Sequence, residues 1–318
     1  MGAELVAAPT QGRRGFGDRF RLSRSERKNL GLGLLFISPW IVGFIAFLLY
    51  PFLYTIRIGF TQYSGFGQPV WTGLDNYRQL IHDDLFWKAL YNTLFYTGLA
   101  VPVGVVVAMA LALAMNAPLP EVPIYRAILY LPSVIPAFAL SFIFLTLMSP
   151  TQGIVNRFLV AIGLPNVNWF GDPRVTKLAL VLLAQFGAGQ VALIFLAGLK
   201  GIPPTLYEAA MLDGASVWRK FWNITVPLMT PVILYDVILG LSLGIQIFTQ
   251  VIVIFGNDPP GAPANSTLTY VLFLYNNGFR YGQMGYAAAL AWVLFLITLV
   301  LAFVLFRWSQ RWVHYDTV

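Results

Sequence analysis

The chain has 318 residues, of which 58% are hydrophobic and only 10% are charged. Soluble globular proteins carry about 25% charged residues, so this composition excludes a water-soluble body, and the mean hydropathy of +0.71 indicates an integral membrane protein. The lack of cysteine excludes disulfides, thiolate nucleophiles and thiolate metal ligands. Two histidines, His82 and His314, leave little for a metal centre. We expect neither a metal nor a cofactor in this chain.

The basic residues indicate how the chain is oriented in the membrane. Seven of the 20 Lys and Arg precede residue 29, which marks residues 1–29 as a basic amino-terminal arm. The arm either lies on an anionic membrane surface or serves only as a topology signal, and both interpretations stay open. The positive-inside rule predicts that the arm and the short tail at 313–318 are cytoplasmic. The region between them, 30–312, is the predicted transmembrane domain.

Six stretches are predicted to cross the cell membrane. A span needs about 20 apolar residues to cross a hydrocarbon layer of about 30 Å. Five stretches contain no Asp, Glu, Lys or Arg, and a sixth is interrupted only by Asp236. In chain order the predicted spans are 30–56, 89–120, 127–156, 178–199, 227–255 and 281–306. The uncharged stretch 259–279 is rich in Pro, Gly and Asn, which would leave backbone groups unpaired in lipid, so we predict an external loop there.

The segment between the fourth and fifth spans, 200–226, has the pattern of two short helices joined by a turn. Pro204 suits the start of the first helix, and Gly214 is placed to end it in the left-handed conformation. Ser216 can cap a second helix, which Pro227 is expected to close before the next span. Such an amphipathic hairpin is covered by a partner protein or lies on lipid headgroups, and physical arguments alone favour neither.

The residues of this segment resemble a known motif. Glu208-Ala209-Ala210, followed by Gly214, Ile224 and Pro227, resembles the EAA coupling loop of binding-protein-dependent ABC importer permeases. Other stretches are similar to the sugar-permease branch of that family, which is related to the membrane subunits of the maltose transporter. They are 73–77, 86–87, 92–93, 131–132, 168–173, 196–199 and 285–288.

The resemblance implies a fold, partners and a division of labour. The expected fold class is an all-α membrane protein with six transmembrane helices of the type I ABC importer permease fold. Expected partners are a second homologous permease, two ATP-binding subunits and an extracytoplasmic solute-binding protein, with no nucleic acid. ATP and Mg would be bound by the ATPase subunits, so this chain is not expected to be an enzyme. Glu208 would offer a carboxylate to the ATPase, Ala209 and Ala210 would allow close approach, and Gly214 would hold the turn.

Candidate residues of the solute path come from the fourth and fifth spans. Asp236, Gly240, Leu243 and Gly244 share one face of a helix at 100° per residue, and the resemblance implies that three of them correspond to sugar-holding positions of the maltose-type subunit. The full candidate set is Phe186, Gly187, Gln190, Asp236, Gly240, Leu243, Gly244 and Gln246.

Each of these candidate residues can also have a structural role that involves no contact with solute. Gly240 and Gly244 can be a helix-packing pair, and Gln190 and Gln246 can hydrogen-bond between helices. Phe186 can be an ordinary packing residue. Asp236 lies near the inner boundary, where we favour a cation partner or a water pocket over a solute contact.

The expected function is therefore that of an ABC importer permease for a sugar or oligosaccharide. The alternative within transport is glycerol 3-phosphate or another polyol derivative, although a phosphate would favour Lys or Arg in the path and no span contains one. A membrane-embedded enzyme would need paired catalytic groups, which an isolated Asp236 does not supply. An ion-coupled transporter would show inverted repeats, and none is visible.

Overall fold

The computed structural model describes residues 24–117, 120–256 and 261–313. Most of the predicted arm and the tail beyond residue 313 lie outside these ranges. The described chain is mainly helical. Its helices are α1 Arg24–Phe44, α2 Tyr50–Ile58, α3 Asp75–His82, α4 Asp84–Met115, α5 Val122–Val134, α6 Ala137–Leu147, α7 Ile154–Ala161, α8 Thr176–Gln185, α9 Ala188–Gly201, α10 Pro204–Leu212, α11 Val217–Lys220, α12 Val226–Ile245, α13 Thr249–Phe255, α14 Tyr270–Tyr275 and α15 Met284–Ser309. The strands β1 Thr61–Gln62 and β2 Val70–Trp71 form a two-stranded antiparallel hairpin.

The chain divides into two compact units, Met1–Arg57 and Ile58–Val318. Within the described residues, four continuous helical stretches are long and apolar enough to cross a membrane: Lys28–Ile58, Asp84–Met115, Val217–Phe255 and Met284–Ser309. Two bent helix pairs, α5 with α6 and α8 with α9, raise the number of candidate spans to six. The number and order of the spans therefore agree with the sequence prediction.

The third span differs most from its prediction. Helices α5 and α6 meet at 100° because Ile135 is extended and Pro136, which follows it, has no N–H to donate. Helix α6 ends at Leu147, so the last part of the predicted span 127–156 is a turn followed by α7. The fourth span is also broken, by 48° between α8 and α9. Apolar composition predicted both crossings but not their bends.

Two of the prolines inside helices, Pro51 and Pro227, lie just after a π-helical turn. The turn Ile45–Leu49 precedes Pro51, and the turn Phe221–Thr225 precedes Pro227. A proline ring clashes with the carbonyl four residues earlier, and the wider i→i+5 turn moves that carbonyl aside. The prediction that Pro227 closes the second helix of the segment is therefore wrong, since the helix continues from α11 through the π turn into α12.

The stretch predicted as an external loop, 259–279, is largely folded into the protein. Tyr270 begins α14, is fully buried, and donates its hydroxyl to the Leu290 carbonyl at 2.8 Å. The Asn92 amide donates to the carbonyls of Asn265 and Leu268 at 2.8 and 2.9 Å. The described part of the stretch is thus neither a span nor a free loop, because side chains of α4 satisfy its backbone groups.

Small residues let the helices of the second unit pack closely. One buried cluster joins α4, α9 and α12 through Ala108, Ala112, Ala192, Phe195 and Met229. On α9, a methyl group at Gly189 would meet the backbone of Leu129, with the carbonyl carbon at 3.1 Å. Gly189 therefore permits the approach of α5 to α9, which positions the walls of the site described below.

We predict that Gly189→Ala destabilises the protein. The added methyl would press on backbone atoms, which cannot rotate away, and overpacking of this kind costs about 1–3 kcal/mol. The Tm of the purified protein in detergent should therefore fall. Gly201→Ala on the same helix is the matched control, because nothing lies within 4 Å of its added methyl. Equal Tm values for both variants would contradict the close α5–α9 contact.

Candidate functional site

The segment after α9 has the helix–turn–helix form that its sequence predicts. Gly214 has φ of +71°, and two backbone hydrogen bonds close the end of α10: Gly214 N–H to the Met211 carbonyl at 3.1 Å and Ala215 N–H to the Ala210 carbonyl at 2.9 Å. This pair of bonds is the Schellman motif. The Ser216 hydroxyl then accepts the backbone N–H of Arg219 at 3.3 Å and caps α11.

The motif residues on this segment lie at the surface. Glu208, Ala209 and Gly214 are exposed, whereas Ala210, Ile224 and Pro227 are half-buried. Large apolar side chains around them are also uncovered, including Leu212, which is 90% exposed. The hydroxyls of Tyr207 and Thr225, which lie 2.9 Å apart, join α10 to the π turn at the end of the segment. Helix α10 thus exposes an apolar surface with one carboxylate, that of Glu208.

A cavity of about 480 Å³ lies among α4, α9, α12 and α13. Seven of the eight predicted path residues line it: Gly187, Gln190, Asp236, Gly240, Leu243, Gly244 and Gln246. The eighth, Phe186, is not part of the lining, and its ring packs edge-on against Phe144 with centroids 4.8 Å apart. The structure therefore brings the predicted set together except for Phe186.

Gly240 and Gly244 also determine how closely α12 approaches α4. A methyl group at Gly240 would lie 3.3 Å from a Val101 methyl, and one at Gly244 would lie 2.9 Å from a Thr97 methyl. Packing is thus one role of this pair, as the small-residue interpretation predicts. The same glycines line the cavity, so helix packing and cavity lining coincide at these positions.

The polar groups of the lining are mostly neutral. Asp236 is the single charged residue among them, and within the described ranges it has no ion-pair or hydrogen-bond partner. Gln246 donates to the Ser242 carbonyl of its own helix at 3.0 Å, so its observed bond is not interhelical. The Gln190 side chain is exposed to the cavity. These amides and one carboxylate can hydrogen-bond a polyhydroxylated ligand.

The candidate set from the sequence does not contain several polar lining residues, among them Tyr96, Gln185 and Gln250. Gln185 donates to the Val181 carbonyl at 2.8 Å, but its buried Oε1 atom has no partner among the described residues. The rule that polar groups inside spans are functional candidates would have found it. Tyr96 carried no such signal, since an aromatic residue within a span is more often a packing residue.

The stretch 168–173, one of those that resemble the sugar-permease branch, forms a tight turn outside the cavity. The Asn168 carboxamide oxygen accepts the Gly171 N–H at 3.0 Å, and the Trp169 ring N–H donates to Asn156 at 3.2 Å. The Arg174 guanidinium hydrogen-bonds the Asp172 carboxylate and so lowers the pKa of that exposed carboxyl. These residues stabilise a turn between α7 and α8.

Comparison with known proteins assigns the chain to a family. Residues 100–315 match the family described as "Binding-protein-dependent transport system inner membrane component". The chain belongs to this family. A probable ABC transporter permease of Bacillus subtilis (strain 168), YesP, is 35% identical over 302 residues, which are 94% of this chain and 97% of that protein. The lactose transport system permease protein LacF of Rhizobium radiobacter is 34% identical over 86% of this chain and 92% of that protein.

A solved structure shows the same fold. The fold of a bacterial ABC transporter chain, from a system involved in the import of the acidic polysaccharide alginate, matches with a TM-score of 0.77. It is 26% identical and covers 90% of this chain and 98% of its own. The predicted fold class is confirmed: this permease is an all-α, multi-pass membrane protein of the type I ABC importer permease fold.

We predict that the cavity admits water-soluble reagents. Because the chain contains no cysteine, Leu243→Cys would carry the only thiol, and Leu243 is 72% exposed in the cavity lining. A charged, membrane-impermeant maleimide should label it in inverted or open membranes. Ile245→Cys, at a position 1% exposed on the same helix, is the control and should stay unlabelled. Labelling of Leu243→Cys by lipid-soluble reagents alone would show that this face contacts lipid.

Proposed function

We propose that this protein is one of two permease subunits of an ATP-driven importer for a sugar or oligosaccharide. The cavity carries the proposal, because it gathers neutral hydrogen-bonding side chains and one carboxylate at membrane depth. Such groups suit hydroxyl-rich ligands. Relatives of this chain support the class, since their names assign them lactose, arabinooligosaccharides and diacetylchitobiose.

A neutral sugar fits this half of the path better than glycerol 3-phosphate. The described cavity lining contains no Lys or Arg, although a phosphate is normally held by such cations. The unpartnered Asp236 would repel it. Gln190, Gln246 and Leu243, all exposed to the cavity, are the proposed contacts through which this subunit holds the sugar.

The segment α10–α11 is the proposed coupling element. Its exposed Glu208 would pair with a basic side chain of an ATP-binding subunit, and Ala209 and Ala210 would let the two surfaces approach. ATP and Mg would be bound by that subunit, so the permease itself would catalyse no reaction. Movement of the docked segment would reach the cavity through α12, since α11, the π turn and α12 form one continuous helix.

The proposed assembly contains a second homologous permease, two ATP-binding subunits and an extracytoplasmic solute-binding protein. One of the structural matches is an alginate transporter in complex with a pentasaccharide-bound periplasmic protein, with a TM-score of 0.78. In this arrangement the segment and both chain termini, including the basic arm 1–29, lie in the cytoplasm. The distribution of basic residues supports that orientation.

We predict that Glu208→Lys separates the permease from its ATP-binding subunits. Loss of one partner of an interfacial charge pair costs about 2–5 kcal/mol, so copurification should fall at least about tenfold. Glu121→Lys is the matched control, because it makes the same change of charge at an exposed carboxylate in another loop. Membrane insertion of both variants should equal that of the parent. If Glu208→Lys assembles and supports uptake like the parent, the segment is not the coupling element.

We also predict that Leu243→Trp blocks solute entry without disturbing assembly. The larger ring would fill part of the cavity of about 480 Å³, so sugar uptake by vesicles should fall at least about tenfold while basal ATP hydrolysis persists. Leu239→Trp is the control, because Leu239 is an exposed leucine on the same helix outside the lining. Unchanged uptake by Leu243→Trp would exclude this cavity as the path.

A further inference from the structure

A second and larger concavity shares no lining residue with the cavity described above. Its volume is about 720 Å³, and it is bounded by α4 on one side and by α11, the π turn Phe221–Thr225 and the start of α12 on the other. The walls are almost wholly apolar, with Val106, Leu113, Trp218 and Trp222 contributing large exposed surfaces. None of the predicted path or coupling residues lines this groove.

Water does not fill such a groove. A water molecule needs two to four polar partners, and the Tyr207 and Thr225 hydroxyls on the wall already bond each other at 2.9 Å. The occupant must therefore be apolar. The wall includes Val226 and Ile233 of α12, which belongs to a membrane span, so acyl chains of lipid are the apolar groups available to this groove.

One charged group, Lys220, stands at the groove. Lys220 is half-buried in the lining and forms no salt bridge with any residue in the described ranges. It is flanked by Trp218 and Trp222, and tryptophan is enriched where hydrocarbon meets headgroups. The Lys220 ammonium group can pair with an anionic lipid headgroup, and the apolar groove beside it can hold the acyl chain of the same lipid.

We infer that this groove is a binding site for an anionic phospholipid. One acyl chain lies against Val106 and Phe221, and the lipid phosphate accepts hydrogen bonds from the Lys220 ammonium. The helix–turn–helix segment then has two contact surfaces: α10 faces a protein partner, and α11 with the π turn faces a lipid. The inference requires only that α12 spans the membrane, so it is independent of the solute and of the ATP-binding subunits.

Photo-crosslinking of the full chain in phosphatidylcholine nanodiscs tests the site. The probes are phosphatidylglycerol and phosphatidylcholine, each with a diazirine in the acyl chain and present at equal mole fraction. Mass spectrometry should find adducts on peptides of the groove walls, about fivefold more with phosphatidylglycerol, which corresponds to the roughly 1 kcal/mol contributed by one basic residue near an anionic surface. Lys220→Gln should remove this preference.

Two further variants keep the test decisive. Arg219→Gln removes the neighbouring cation, which lies outside the groove lining. This variant should keep the preference for phosphatidylglycerol over phosphatidylcholine. Ala110→Trp should fill the groove and remove adducts of both lipids, while its elution in size-exclusion chromatography matches the parent. If the parent gives equal adduct yields with the two lipids, the proposed site is wrong. The same conclusion follows if Arg219→Gln removes the preference for phosphatidylglycerol as fully as Lys220→Gln does. If groove peptides of the parent protein carry no adduct of either lipid, the groove is filled by protein and the lipid site is wrong.

Discussion

Hydrocarbon supplies no hydrogen-bond partners, so every backbone group at membrane depth must find its partner within the protein. That constraint explains the irregular parts of this fold as well as the helices. The π turns before Pro51 and Pro227 each accommodate a proline while the helix continues, and the break at Ile135 ends one helix where Pro136 begins the next. The buried stretch before α14 is possible only because Asn92 satisfies its carbonyls.

The sequence predicted what depends on composition and spacing. The six crossings, the turn at Gly214, the cap at Ser216 and the family were confirmed, and the fifth-span residues at helical spacing do line one cavity. Composition and spacing did not predict the bends within the third and fourth spans or the continuation of the helix through Pro227. These features depend on how a local backbone conformation relieves a steric clash, and a proline alone permits either a helix end or a π turn.

Phe186 shows the same limit for side chains. Its position in the chain implied a place in the path, but the break between α8 and α9 turns its ring towards Phe144 instead. Gln185, one residue earlier, lies in the lining. Gly187, one residue later, lies in the lining as well, so the local backbone at the break determines which of these neighbouring residues reach the cavity.

The glycine contacts with α4 affect how this family can diversify. Gly240 and Gly244 cannot accept a side chain without displacing Val101 or Thr97, so their identity is tied to folding. Leu243, Gln246 and Gln190 are exposed to the cavity. Under the proposed function, substitutions at these three positions would change which solute is recognised while the helix packing stays intact, so solute preference and stability could evolve separately.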